Sequence, residues 1–74
     1  MLKMTMELAK SFQYHKIRVL DKHGLYIETF NGEKPSDLFL LGHGYLGHTV
    51  YSINPGCRFV DGALVVSLDI WIED

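Results

Sequence analysis

The sequence predicts a β-rich domain, all-β or β-rich α+β, in which a mostly antiparallel sheet of five to six strands curls into a small barrel or sandwich. Three observations predict it. Over the last stretch, 63–73, five aliphatics at the even positions alternate with a mixed set, Ala63, Val65, Ser67, Asp69, Trp71 and Glu73. Residues 14–30 carry a second alternating pattern interrupted by a turn signal. No segment sustains the 3.6-residue apolar period of a long helix, so at most one short helical turn is expected, near residues 36–41.

From the N-terminus, Leu2, Met4, Met6 and Leu8 alternate with Lys3, Thr5, Glu7 and Ala9, which predicts a first strand. A second strand is expected near 14–20, with His15, Ile17 and Val19 inward and Lys16 and Arg18 outward. Asp21-Lys22-His23-Gly24 reads as a turn and 25–30 as the returning strand, so 14–30 forms a hairpin. Asn31-Gly32 and Lys34-Pro35-Ser36-Asp37 are loop signals. Over 37–41 the apolar run fits either a short buried strand or one helical turn capped by Ser36 and ended by Gly42. A strand at 49–53 is expected to break at Asn54-Pro55-Gly56 and resume at 57–60. Asp61-Gly62 is a favoured two-residue hairpin turn. The final strand then points Leu64, Val66, Leu68, Ile70 and Ile72 into the core.

With 74 residues the chain is read as one domain, 1–74. A domain of this size buries only about 60% of its unfolded surface, so its core is small and gains from a second covering partner. A hydrophobic content of 47% argues against disorder. No apolar run approaches the ~18 residues of a membrane span, and the N-terminus lacks the continuous apolar stretch of a signal peptide. One cysteine cannot form an internal disulfide, and together these features predict a cytoplasmic protein. The net charge of −2 argues against a nucleic-acid binder, although Lys16, Arg18, Lys22 and Arg58 with Tyr14 or Phe30 could line a basic groove. The distribution of charge says more. Lys3, Lys10, Lys16, Arg18 and Lys22 against Glu7 and Asp21 leave 1–22 at +3, while Asp61, Asp69, Glu73 and Asp74 leave 61–74 at −4. Pairing of these ends is expected, with Lys3 facing Asp69 or Glu73, either within one chain or between two.

Four groups of residues could carry function. Gly42-His43-Gly44-Tyr45-Leu46-Gly47 matches G-x-G-x-x-G, but the sequence after it is strand-like and too short for the helix that a dinucleotide site needs. A looser backbone cradle for a phosphate- or nucleotide-type ligand, built from Gly42, His43, Gly44, Tyr45, Gly47 and His48, is the alternative reading. His43, His48 and Cys57 could hold a metal, although the short Cys or His pairs typical of zinc sites are absent. Cys57 with either histidine could be drawn as nucleophile and base, yet no orienting third group or oxyanion site is evident. The fourth group is the outward face of the last strand, where Trp71 stands among Val65, Ser67, Asp69 and Glu73, with Tyr26, Tyr45 and Tyr51 as possible extensions. Indole and phenol rings bury much area with few rotors, which suits recognition of another protein. The sequence therefore predicts a non-enzymatic, cofactor-free protein-interaction module, an inhibitor, adaptor or regulator of a larger partner. Homo-oligomers through the terminal strands are expected because exposed edges gain from pairing.

Overall fold

The hairpin turn at Asp61-Gly62 sets the register of the longest elements. A computed structural model describes residues 1–73. Its elements are α1 (Met6–Lys10), β1 (Lys16–Leu20), β2 (Tyr26–Asn31), α2 (Pro35–Gly44), β3 (Thr49–Val60) and β4 (Ala63–Glu73). The strands form one mixed sheet in the order β2-β1-β4-β3. Both hairpins are antiparallel, and β1 runs parallel to β4 with Ile17 opposite Leu68 and Val19 opposite Ile70.

Both helices lie on one face of the sheet. The core joins Ile17, Val19, Phe30, Val50, Ile70 and Ile72 from the strands to Ala9, Phe12, Leu38 and Leu41 from the helical side. This layer replaces the closure expected from the sequence: the sheet has four strands, not five or six, and is not a barrel. A sheet with one apolar face needs one cover, and here the cover is helical.

The N-terminal segment departs from expectation for a local reason. Thr5 accepts a hydrogen bond from the Leu8 amide at 3.0 Å and caps α1, whose first turn carries Glu7. Only Lys3 makes a strand-like bridge, to Thr49, and its ammonium donates to Thr49 Oγ1 at 2.9 Å, not to Asp69 or Glu73. The short alternation around Met4 and Met6 was compatible with either period. The second helix is longer than one turn. Pro35 starts it without losing an amide bond, and Leu38, Leu41 and Gly42 form its buried face. Gly42 does not end it but lies on its buried face, where a Cβ would sit 2.8 Å from Met6 Sδ and 3.0 Å from Ala9 Cβ. The glycine lets α1 and α2 approach.

Elsewhere the hairpin readings hold. At 21–24 the carboxylate of Asp21 accepts from the amides of His23 (2.8 Å) and Leu25 (3.0 Å), and Gly24 takes φ +80°. The strand before this turn starts at Lys16, because Tyr14 at φ 71° kinks the chain, so His15 is exposed outside the core. Pro55 does not divide β3: the strand lies at the sheet edge, where proline is tolerated.

Candidate interaction surface

Asp61 and Gly62 adopt φ 50° and 79°, the left-handed pair of a tight hairpin whose twist matches its strands. The turn pairs Phe59 with Leu64, Cys57 with Val66, Pro55 with Leu68, Ile53 with Ile70 and Val50 with Ile72. Opposed residues of an antiparallel pair share a face, so these five pairs make one continuous apolar stripe on the helix-bearing side. The helices cover only half of it. Ile70 and Ile72 are buried, whereas Phe59 is 77% exposed, Val66 61% and Leu64 56%. The expectation that all five aliphatics of β4 enter the core is therefore corrected for Leu64 and Val66.

The uncovered half is an overhang. β1 begins at Lys16, next to Ser67 by register, so Ala63–Val66 and Cys57–Val60 project past the other strands. At the same end the chain crosses between the helical layer and the sheet twice, from α1 to β1 through 11–15 and from β2 to α2 through 32–34. These segments are tied by Gly32 N donating to His15 O at 2.8 Å and Tyr14 N to Gly32 O at 3.0 Å. The result is a two-stranded ribbon with a bare apolar face, bounded by a step about one layer, ~10 Å, high.

The opposite face of the sheet carries the residues singled out by the alternation of the last strand. Val65, Ser67, Asp69, Trp71 and Glu73 fall on one side of β4, away from the helices, but the set is not an open polar patch. Asp69 is buried, receiving Arg18 Nε at 2.8 Å, Arg18 Nη2 at 2.5 Å and Ser67 Oγ at 2.9 Å. The Arg18 guanidinium, opposed by some desolvation, holds this carboxyl below the ordinary aspartate value, and Arg18 is raised in turn. Gly56 makes room, since a Cβ there would stand within 2.5 Å of Asp69 Oδ2. Trp71 is half-buried beside Leu20, and its ring lies 3.1 Å from where a Gly24 Cβ would be. The complementarity of the chain ends is thus met inside one molecule, by Arg18–Asp69 and by Lys22–Glu73 at 3.6 Å. With Arg18 committed to Asp69, the basic groove weighed from the sequence loses its central cation.

No family model, curated protein or solved structure matches this chain. Its surfaces therefore speak for themselves.

The glycine-histidine segment is not a loop over its first half. Gly42, His43 and Gly44 are the last turn of α2, and Tyr45 caps it. Amides free to cradle a phosphate lie at a helix N-terminus or in a backbone nest, whereas the end of α2 presents carbonyls and the negative pole of the dipole. His43 stacks on Phe39 with centroids 5.4 Å apart, and Tyr45 meets His48 edge-on at 5.6 Å. Tyr45 is buried and donates its hydroxyl to Glu28 Oε2 at 2.7 Å; burial first, and then the carboxylate, pushes its phenol above the ordinary value. It cannot extend an outer aromatic patch, unlike the exposed Tyr26 and Tyr51. Cys57 is exposed on the ribbon while His43 is on α2, and no group of three His, Cys, Asp or Glu able to hold a metal occurs among the described residues. No helix of the described residues is long and apolar enough to cross a membrane. Sequence reasoning missed the ribbon face. Its signal was available: apolar residues alternate on both sides of Asp61-Gly62 for longer than so small a domain can cover.

Proposed function

We propose that the chain is a non-enzymatic protein-interaction module, of the inhibitor, adaptor or regulator kind, that docks through the uncovered half of the β3–β4 ribbon. The observation that supports this reading is the exposure of Phe59, Leu64 and Val66 on one uncharged face. The largest contiguous apolar patch on a monomer, typically a few hundred Å2, is often its functional surface. A free two-stranded ribbon is also marginal in water, so a covering partner stabilises it. The edge of β3 is a poorer site, because Pro55 and the irregular register between Val50 and Ser52 interrupt it.

Site-specific photo-crosslinking in the native cell tests the reading. A benzophenone side chain at position 64 is expected to give discrete protein adducts, of whatever partner. The same group at position 40, exposed on α2, is expected to give none. Equal absence at both positions removes the ribbon as a docking face.

A further inference from the structure

We infer that the occupant of the ribbon face is a second copy of this chain, packed ribbon on ribbon about a two-fold axis. This rests on the docking reading above and names its partner. Three features carry the choice.

The first is shape. The bare face ends at a step about one layer high, and stacked β-layers pack ~10 Å apart. One further ribbon fills that step flush, and a two-fold fills both steps with one contact. The second is side-chain size. Along the overhang the pairs run from Pro55–Leu68 at the step, through the small Cys57–Val66, to the large Phe59–Leu64 near the tip. An axis midway between the last two pairs sets Phe59 and Leu64 of each copy over Cys57 and Val66 of the other. Large then meets small twice, as close packing requires. The third is charge. Lys16 and Arg58 both fall on the helix-free side, away from the contact, and at the step Lys34 is balanced by Glu33. The apolar face itself carries no charge to be stranded by burial.

Area sets the strength. Phe59 offers roughly 150 Å2, and the whole overhang on the order of 400 Å2 per copy. That is about half the ~800 Å2 per partner of a standard stable interface, so the dimer is weak and concentration-dependent. Apolar contact without a strong polar frame suits such reversible pairing.

Sedimentation of the purified chain from about 1 μM to about 1 mM tests this. Wild type is expected to move from the 8.5 kDa monomer toward twice that mass. Leu64→Lys is expected to remain monomeric, while Leu46→Lys, at a residue exposed beyond α2, associates like wild type. Leu64 is more than half exposed in the single copy, so the variant keeps its fold, which far-UV circular dichroism checks. Alkylation of Cys57 supplies a second readout: its rate is expected to fall several-fold as wild-type concentration rises and to stay constant in Leu64→Lys. A monomer at every concentration overturns the proposal, and so does a dimer that survives Leu64→Lys with Cys57 still freely labelled. If the purified chain is monomeric but position 64 crosslinks to other proteins, self-pairing fails and the docking module stands.

Discussion

Asp69 is the residue on which the helix-free side of the sheet turns. A buried carboxylate is costly unless paired and fully hydrogen-bonded, and here Arg18 and Ser67 supply the donors while Gly56 leaves the space. Because the native carboxyl titrates below its ordinary 3.8, the stabilisation is complete above that value and is lost as pH falls through the lower native one. Replacing Asp69 with Asn keeps the volume and strands the guanidinium. The cost is expected to be roughly 1–2 kcal/mol at neutral pH, toward the low end because Arg18 remains 25% exposed. Urea unfolding at pH 7 and pH 3 checks both statements: the gap between variant and wild type narrows in acid. A gap that widens in acid contradicts the sign. The Lys22–Glu73 pair, half in solvent at 3.6 Å, contributes little by comparison.

At the scale of elements, the decisive contact is the approach of α1 to α2 over Gly42. Replacing Gly42 with Val adds a branched side chain whose Cβ alone would stand 2.8 Å from Met6 Sδ and 3.0 Å from Ala9 Cβ, inside van der Waals contact. The helices are then forced apart at an expected cost of about 2–3 kcal/mol, read as a lower thermal midpoint. Gly44, with nothing within 4 Å of a built Cβ, is the control, and its Ala variant is expected to be neutral or better. This contact also explains which elements were legible. The 14–30 and 57–73 hairpins were readable because turn chemistry at Asp21–Gly24 and Asp61-Gly62 is local. The helices were less so: α1 has only five residues and was read as a strand, and α2, readable as one helical turn over 36–41 or as a buried strand, spends two of its ten on glycine. Neither shows a clean apolar period, and both depend on each other and on the sheet for stability. Short helices take their stability from packing, which no local pattern reports.

For the whole molecule, stability is expected to be graded along the long axis of 37 Å. The half of the ribbon beneath the helices belongs to the core, while the overhang has only its own ladder. Hydrogen exchange at low concentration is expected to show fast amides over 57–66 and slow ones at Ile17–Leu20 and Leu68–Ile72. Uniform protection would mean that the overhang has a cover of its own. The extended C-terminal strand and its two-sided character were visible in the sequence, as was the gathering of Trp71, Asp69 and Ser67 on one side. What could not be read was which pairs the helices would reach, since that depends on where the 11–15 and 32–34 connections descend. One further property follows from the parallel pairing of Ile17 with Leu68. An interior strand of the sheet is the final element in chain order, so during synthesis β1 and β2 leave the ribosome with one ladder edge vacant. They remain so until β4 emerges. The sheet thus closes in a late, single event once β4 is free, and slow elongation prolongs the interval in which that vacant edge meets chaperones or other nascent chains.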